Sequence, residues 1–444
     1  MRSTLKPRAR GTRKPQPTLD AELDELLLAM PNPAQTIARL DESLRKRGLY
    51  FGEGLVPTFL RPHLLEAPTL DRWAGEAEAL FTLLEELAQR ALPDRELCRW
   101  LGFSDSALEL FRIDPGYRRN VVIARPDAIQ VGKQALYVEA NTDSPAMMTF
   151  ADEIEAALLE LEPLAGLASR FTATRRCEAL LTALLACYRE WGGKGLPSMA
   201  VVDWPGEKTA HELKVTVRTF KRLGLEAIVA APHQLKYQRG KLWAGKRKID
   251  FVYRRVLCND FFTRADELKP LLSAYRDGKV CMANPLRSYL VGSKSMLALL
   301  HDETNAAGLT LKQRALAMRL LPWTLNASPH DRVGRRNWVL KKSESHGGQD
   351  VIIGALSDDA TWNTALAKSK TERWVRQAFT PVSKIRLPVL ENGRLVFRER
   401  FINWNPFIFG GKHGGSISRV SASELINITR GGGLLPTMRI EPKP

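Results

Sequence analysis

The first quarter of the chain repeats apolar residues with the period of amphipathic helices. Apolar positions recur every three or four residues in LDAELDELLLA, residues 19–29, and two prolines follow as a stop signal. The same spacing predicts helices over residues 34–47 and 70–91, the second with acids in its first turns. We therefore expect a helical N-terminal region over residues 17–112.

The pattern then becomes strand-like, with short apolar or alternating runs around the turn signal Gly132-Lys133. Between this segment and residue 198, the apolar residues again recur with helical spacing. The predicted elements of this part are strands over residues 120–123, 128–131 and 135–138 and helices over residues 151–166 and 172–191.

From residue 198 onward, strands and helices alternate. Apolar runs at 199–202, 227–230 and 249–253 predict strands, and an amphipathic run at 207–223 predicts a helix between the first two. This order is typical of a small doubly wound βαβ subdomain with a parallel sheet. The basic stretch KYQRGKLWAGKRK before the third strand is interpreted as a hairpin-like excursion or a solvated surface loop.

The last third is mainly sheet, after a helical segment over residues 290–320. The whole pattern indicates a mixed protein of the α+β or α/β class. The strands expected here cover residues 335–342, 350–353, 374–379, 385–390, 394–402 and 416–420.

Composition excludes several classes of protein. The five cysteines are widely spaced and include no CxxC pair, which argues for a reducing compartment and against a zinc ribbon. No apolar run is long enough to span a bilayer, and the basic start lacks the apolar segment of a secretory signal. We therefore expect a cytoplasmic protein without a membrane partner.

The net charge of +17 suits polyanionic partners, either nucleic acid or nucleotide phosphates and acidic small molecules. Residues 1–16 carry +6 without an acid and are expected to be a disordered basic arm, which leaves +11 on the rest. A solvated basic surface is the simpler alternative. Because no zinc-finger, RNP-like or basic-zipper pattern occurs, we do not expect sequence-specific nucleic-acid binding.

The strongest chemical signal is ARPDAIQVGKQALYVEANTDSP, in which polar residues interrupt strand-like sequence. A two-residue turn would place Asp127 opposite Val138, whereas a three-residue turn places Asp127 opposite Glu139 and Arg125 opposite Asn141. With the longer turn the four polar groups converge. Two carboxylates and an amide oxygen are hard donors that suit Mg²⁺. A polar strand edge with surface ion pairs is the alternative.

A second signal is NWVLKKSESHGGQDVIIG, where a strand delivers Lys341 or Lys342 to a turn with Gly347 and Gly348. Glycine backbone can approach phosphates closely while a lysine supplies charge. Two weaker signals are Lys294 at the head of a helix and a Gly-rich segment with Arg419 and Asn427. Each of these is also compatible with an ordinary hairpin, helix or loose loop.

Together these segments resemble the ATP-grasp ligases, and in particular the circularly permuted branch related to glutathionylspermidine synthetase. In that branch the metal-binding strands precede the lysine strand. The resemblance covers roughly residues 112–435. It rests on the order Arg125, Asp127, Glu139, Asn141, Asp143, Ser144 and Pro145, followed by Lys294, Lys341 with its HGG loop, WVRQAF at 374–379, and Arg419.

The resemblance implies a role for each matched position. Asp127, Glu139 and Asn141 would bind Mg²⁺; Arg125 and Arg419 would contact the transferred phosphoryl group. The nucleotide would be held by Lys294, Lys341, His346, Gly347, Gly348 and, as the hinge beside adenine, Gln377, Ala378 and Phe379. Asn141, Ser144 and Asn427 would contact the substrate. Between the two neighbouring lysines the resemblance selects Lys341, with Lys342 on the opposite face of the strand.

The domains implied are a core segment with the metal-binding strands over residues 113–197, a βαβ subdomain over 198–283, a nucleotide-binding region over 284–437 and a tail over 438–444. The implied activity is a Mg²⁺-dependent ligase that uses ATP to join a small-molecule or peptide carboxylate to an amine through an acyl phosphate. The alternatives are a nucleotide-binding protein without catalysis and a basic nucleic-acid-binding protein.

Overall fold

The structure is a computed structural model that describes residues 18–345, 350–426 and 432–441. Predicted site residues His346, Gly347, Gly348 and Asn427, and the basic arm, lie outside these ranges. Among the described residues, no helix is long and apolar enough to cross a membrane.

The helices of the described chain follow the apolar periodicity of the sequence. Thr18 caps the N-terminus of α1, because its side chain accepts a hydrogen bond from the Ala21 amide. Gly48, with a φ of 75°, caps the C-terminus of α2. The helices are α1 (Leu19–Leu28), α2 (Pro33–Arg47), α3 (Ala67–Ala91), α4 (Arg95–Leu101), α5 (Asp105–Phe111), α6 (Met148–Leu159), α7 (Arg176–Glu190), α8 (Ala210–Arg222), α9 (Asp260–Thr263), α10 (Ala265–Arg276), α11 (Ser288–Gly292), α12 (Lys294–Leu299), α13 (Leu311–Leu320) and α14 (Asp359–Lys368).

The strands of the described chain form several separate sheets. They are β1 (Tyr50–Phe51), β2 (Gly54–Leu55), β3 (His63–Glu66), β4 (Ile123–Val131), β5 (Gln134–Asn141), β6 (Phe171–Thr172), β7 (Met199–Val202), β8 (Ala227–Ala230), β9 (Leu235–Gln238), β10 (Lys241–Ala244), β11 (Arg247–Ile249), β12 (Phe251–Arg254), β13 (Cys281–Ala283), β14 (Thr324–Asn326), β15 (Trp338–Lys342), β16 (Val351–Ile353), β17 (Trp374–Ala378), β18 (Lys384–Glu391), β19 (Arg394–Phe409), β20 (Lys412–Ser421) and β21 (Gly433–Ile440).

The large sheet has the order β3-β21-β20-β19-β4-β5, with β18 paired to β19 and β6 to β21. Its pairs are antiparallel except for β21 and β3. Residues 438–440, which were predicted to belong to a tail, are part of β21. This segment belongs to the core because the side chains of Met438 and Ile440 are buried. β3 likewise brings a strand from the N-terminal region, which was expected to be helical.

The β4–β5 hairpin has the predicted pairing but not the predicted turn. Asp127 lies opposite Glu139 and Arg125 opposite Asn141. The turn has two residues, because Val131 pairs with Gln134; the three-residue turn was wrong. A β-bulge between Asp127 and Ala128 restores the register, since it leaves an extra residue, Val138, on β5.

A four-stranded parallel sheet, in the order β13-β12-β7-β8, forms the predicted βαβ unit. Alternate residues enter two different hydrophobic clusters, Met199 and Val201 in one and Ala200 and Val202 in the other. The sheet is therefore covered on both faces, as expected for parallel strands that read as continuous apolar runs.

The basic stretch between β8 and β12 is not a loop. It forms an antiparallel three-stranded sheet, β9-β10-β11, whose buried residues Leu235, Leu242 and Ile249 lie seven positions apart along the sequence. The predicted hairpin-like excursion is therefore present; the sparse apolar positions are also typical of a solvated loop, which is why the sequence left that alternative open.

A smaller antiparallel sheet, β14-β17-β15-β16, faces the large sheet across a cleft. It has a small core of its own, formed by Leu340, Trp362, Ala365, Leu366 and Trp374. α14 supplies three of these residues and thereby packs against the strand that carries Lys341.

Candidate functional site

Two cavities meet at one wall of the large sheet. The larger has a volume of about 450 Å³ and the smaller about 150 Å³. Arg125, Glu139, Asn141 and Arg419 line both of them. The structure therefore brings four of the predicted site residues to the place where a group could pass from one cavity to the other.

Asp127 is the centre of a hydrogen-bond network at this wall. It is 6% exposed, and its Oδ1 accepts from Asn405 Nδ2 at 2.8 Å and from Asn141 Nδ2 at 3.2 Å. Its Oδ2 forms an ion pair with Arg419, and Arg125 Nε lies 3.8 Å from Oδ1. The carboxylate thus fixes the orientation of two arginines and two amides.

Each of the two arginines also has a neutral hydrogen-bond acceptor, a backbone carbonyl for Arg125 and a side-chain amide for Arg419. Arg125 donates to the carbonyl of Ala146 at 3.0 Å, and Arg419 Nε donates to Asn405 Oδ1 at 3.2 Å. Burial lowers the pKa of Arg125, while the charge of Asp127 opposes this shift. Both guanidinium groups are therefore held at the junction and are suited to an anionic ligand.

Glu139 faces Lys294, whose Nζ lies 3.0 Å from Glu139 Oε1. The same ammonium donates to the carbonyl of Ser345 at 2.7 Å. Lys294 is 4% exposed and lines the larger cavity. This lysine, predicted to contact nucleotide phosphates, is placed beside the predicted metal ligand Glu139.

Lys341 points into the smaller cavity from β15. Its ammonium donates to the carbonyl of Val138 at 3.0 Å and to Gln377 Oε1 at 2.7 Å, and Gln377 in turn donates to Thr324 Oγ1 at 3.0 Å. Burial lowers the pKa of Lys341 to about 8. Lys342 points away from this cavity and pairs with Glu372 at 3.0 Å.

The smaller cavity combines polar residues, Glu424 and Asn403 among them, with a set of apolar side chains that suit a flat ring system. Predicted hinge residues Gln377, Ala378 and Phe379 lie along one side of it. The apolar side chains around the rest are Ile129, Val138, Val339, Val351, Ile353, Val382, Leu425 and Ile426. The combination of an apolar slot with Lys341 at its polar end fits a nucleotide.

The larger cavity is bounded by the loop that follows β5, which buried charges hold in place. Arg254 pairs with Asp143 at 2.7 Å, Arg255 donates to the carbonyl of Pro145, and Glu212 accepts from the Met147 amide at 2.7 Å. The hydroxyl of Ser144 donates to the Arg255 carbonyl at 2.8 Å. Predicted substrate residue Ser144 therefore lines the cavity with its hydroxyl already bound.

The carboxyl edge of the parallel sheet also lines the larger cavity. Lys208 and Thr209 follow β7, and Leu257 follows β12. The chain leaves β7 toward β8 on one side and later returns to β12 on the other, so this edge is a strand-order switch point. Ligands commonly bind at such points, because the diverging connections leave a crevice.

Of the predicted metal ligands, Glu139 and Asn141 fit Mg²⁺ by their chemistry, whereas both oxygens of Asp127 already bind Arg419 or an asparagine amide. Asn141 Nδ2 is held by Asp127 and by the Arg125 carbonyl at 3.1 Å, so its oxygen is left for a ligand. Glu139 adds a carboxylate that lines both cavities. No cluster of three or more His, Cys, Asp or Glu suited to a metal occurs in the described part of the chain, so this set would need phosphate oxygens or water to complete it.

Sequence reasoning missed three polar residues at this site. Asn405 binds both Asp127 and Arg419, Thr324 binds Gln377, and Glu344 lines the larger cavity. A signal for the first existed: INWNPFIF places asparagines two positions apart within an otherwise apolar strand.

Comparison with known proteins shows the fold. No protein-family model matches the sequence, and no curated protein matches it. A glutathione synthetase-like effector from Globodera pallida, solved in its apo form, is 13% identical with a TM-score of 0.59, over 91% of this chain and 96% of that one. The chain therefore has an ATP-grasp-like fold of mixed α/β class.

Two further solved structures are more distant. A putative gamma-glutamylcysteine synthetase from Methylobacillus flagellatus is 12% identical with a TM-score of 0.39, over 82% of this chain and 85% of that one. An ATP-grasp RimK domain protein from Sphaerobacter thermophilus is 14% identical with a TM-score of 0.27, over 54% of this chain and 89% of that one.

Proposed function

We propose that this protein is an ATP-dependent ligase that joins a carboxylate to an amine through an acyl phosphate. The observation that carries the proposal is the shared wall of the two cavities, where Arg125, Glu139, Asn141 and Arg419 face both. An apolar slot with a buried lysine on one side and a polar cavity on the other suit phosphoryl transfer from a nucleotide to a small acid. The fold shared with a glutathione synthetase-like effector supports the same reaction class.

Each residue has a separate task in this reaction. Lys341 binds a nucleotide phosphate, and Gln377, Ala378 and Phe379 face the base. Arg125 and Arg419 hold the oxygens of the transferred phosphoryl group, as charge-assisted donors do in sites for phosphoryl transfer.

The metal and the substrate occupy the other polar groups. Glu139 and Asn141 would hold Mg²⁺, and the metal would supply charge neutralisation at the phosphates. Lys294 positions Glu139 through their ion pair. The acid is a small molecule or peptide that the larger cavity admits, with Ser144 and Asn427 as predicted contacts.

We also propose that the chain is a circularly permuted ATP-grasp protein related to glutathionylspermidine synthetase. The strands with the proposed metal ligands, β4 and β5, precede the lysine strand β15 in the chain. In this arrangement residues 113–197, 198–283 and 284–437 are the core segment, the βαβ subdomain and the nucleotide-binding region.

The proposal is tested by trapping the acyl phosphate. The protein is incubated with ATP, Mg²⁺, hydroxylamine and a panel of amino acids, dicarboxylic acids and short peptides, and both ADP and acyl hydroxamate are measured. We expect stoichiometric ADP and hydroxamate with at least one acid, and none from the Lys341→Met variant at limiting ATP. Lys342→Met is the matched control and is expected to behave as the wild type.

Two other outcomes would contradict the proposal. ATP binding without ADP from any acid would favour a nucleotide-binding protein without catalysis. Binding to nucleic acid that weakens steeply with salt, together with no ATP binding, would favour the nucleic-acid alternative.

A further inference from the structure

The charges around the larger cavity are unevenly paired. Three carboxylates line it: Glu139, Asp143 and Glu344. Glu139 pairs with Lys294 at 3.0 Å, and Asp143 pairs with Arg254 at 2.7 Å. Glu344 forms no ion pair with a cation in the described ranges. Glu344 is therefore the carboxylate of this cavity whose charge the described residues do not neutralise directly.

Glu344 is half-buried and lies near Tyr289, since burial and then the charge of Glu344 raise the pKa of the Tyr289 phenol. Glu344 directly follows Ser343, which is buried and hydrogen-bonds to Ser293 at 2.8 Å. Burial raises the pKa of Glu344, and the charge of Lys342 lowers it. The Lys342 ammonium, however, is bound to Glu372. A half-buried carboxylate of this kind gains free energy from a cationic ligand.

Aromatic residues of the same cavity add a second feature that suits a cation. Tyr289 lines the cavity, and its hydroxyl donates to the Glu344 carbonyl at 3.4 Å. Phe51 contributes another ring to the cavity wall. Aromatic faces attract ammonium groups through their quadrupole, so a carboxylate next to such rings selects a cation over a neutral ligand.

Among the described residues, the four cations that line the cavity have different surroundings. Arg125 and Arg419 lie at the junction with the smaller cavity, next to Asp127, and Lys294 is bound to Glu139. Lys208 is exposed on the loop that follows β7. The junction therefore attracts an acyl phosphate, and Glu344 attracts a group of opposite charge.

We infer that Glu344 binds the ammonium group of the amine substrate. The inference rests on the proposed ligase function and deepens it: the acceptor is a primary amine that is positively charged at neutral pH, amino acids included. Glu344 holds this group and accepts the proton that it must lose. The neutral amine then attacks the acyl carbon, the C–N bond forms, the bond from that carbon to the phosphate oxygen breaks, and phosphate leaves at Arg125 and Arg419. With a single such carboxylate, the site suits an acceptor with one ammonium group better than a polyamine.

The test compares two kinds of acceptor with the acid that gives the most hydroxamate. Hydroxylamine is uncharged at neutral pH, whereas glycine and ethylamine carry an ammonium group. We expect Glu344→Gln to lower kcat/KM for glycine or ethylamine roughly 10- to 100-fold, because both the charged hydrogen bond to the ammonium and the acceptor of its proton are lost. With hydroxylamine the variant should stay within about twofold of the wild type.

Two variants sharpen the result. Glu344→Asp keeps the charge and is expected to recover part of the affinity for the cationic amines. Glu399→Gln is the control, because it removes an exposed carboxylate that pairs with Lys384 away from the cavity, and it should change the rate with neither acceptor.

The outcomes separate the inference from the function on which it rests. An equal loss with hydroxylamine and with the cationic amines, or no loss with either, overturns the role of Glu344 while hydroxamate formation by the wild type still supports the ligase. Absence of ADP and hydroxamate from the wild type with every acid overturns the ligase, and the inference with it.

Discussion

The two sheets that face each other across the cleft hold their charges differently. On the large sheet, Asp127 is bound by Arg419 and by two asparagines, and Glu139 is bound by Lys294. On the small sheet, Lys341 forms no ion pair with any described carboxylate and donates to a carbonyl and an amide oxygen instead. The paired charges fix geometry, whereas the buried lysine with neutral partners is ready to bind an incoming phosphate.

The largest effect is expected on the large sheet, from Glu139→Gln. Losing a ligand of the proposed metal should reduce kcat by about 10³-fold, the scale of other lost transition-state contacts. Gln still accepts a hydrogen bond from Lys294, so unfolding should become easier by only about 1–2 kcal/mol. Single-turnover ADP formation and denaturant unfolding measure the two quantities.

The control for this prediction is Glu399→Gln, which removes an exposed carboxylate paired with Lys384 on the same large sheet. It should leave both turnover and stability unchanged. Full activity of Glu139→Gln at limiting Mg²⁺ would show that this carboxylate does not bind the metal.

Stability should respond with different signs on the two sheets. Asp127→Asn leaves Arg419 and Arg125 without their buried counter-charge and should destabilise the protein by about 3–4 kcal/mol. Lys341→Met removes a buried ammonium that has no carboxylate partner and should be neutral or slightly stabilising. The free energies of unfolding of both variants, measured in urea, test this prediction. Equal destabilisation would mean that the large and the small sheet hold their charges alike.

Nucleotide affinity should depend on the small sheet. A buried lysine at a phosphate contributes about 2–4 kcal/mol, so Lys341→Met should weaken ATP binding roughly tenfold to several hundredfold. Lys342→Met is expected to change it by a few tenths of a kcal/mol at most, because that lysine is part of an exposed ion pair. Isothermal titration with ATP compares them, and the reverse ranking would assign the site to Lys342.

A smaller effect is expected from pH. The pKa of Lys341 is lowered to about 8 by burial, so the ammonium that attracts phosphate is lost as the pH rises through that value. ATP affinity of the free protein should be constant below this pH and fall above it, by at most about tenfold per unit. Titrations across this range should show no such fall in Lys341→Met; a fall that persists there would assign the titration to another group.

Sequence patterns could predict those parts of the site that are close together in the chain. Side-chain alternation was enough to put Glu139 and Asn141 on one face and Lys341 and Lys342 on opposite faces, whereas the correct pairing of Asp127 with Glu139 rested on a three-residue turn that is wrong. A longer turn and a bulge both shift the register by one residue, so the sequence could not distinguish them.

Contacts between distant segments could not be predicted in this way. Asn405 lies 278 residues from Asp127 along the chain, and only the pairing of β19 with β4 brings them together. The role of Glu344 likewise depends on which cations are absent from its surroundings in the described fold. The periodicity of apolar and polar residues shows which side chains are neighbours on one helix or strand, whereas these contacts depend on how the strands assemble into sheets.

The extra residue on β5 has a consequence for comparing relatives of this chain. Val138 is the bulged residue, and its carbonyl accepts a hydrogen bond from Lys341. A relative with a turn one residue longer and no bulge would show the same interval between its aspartate and glutamate, and an alignment without gaps would equate the two. A one-residue deletion at Val138 would keep both carboxylates yet remove the acceptor that links the two sheets. Alignments of this motif should therefore allow gaps at the turn and count a gap at the bulge as a change in the smaller cavity.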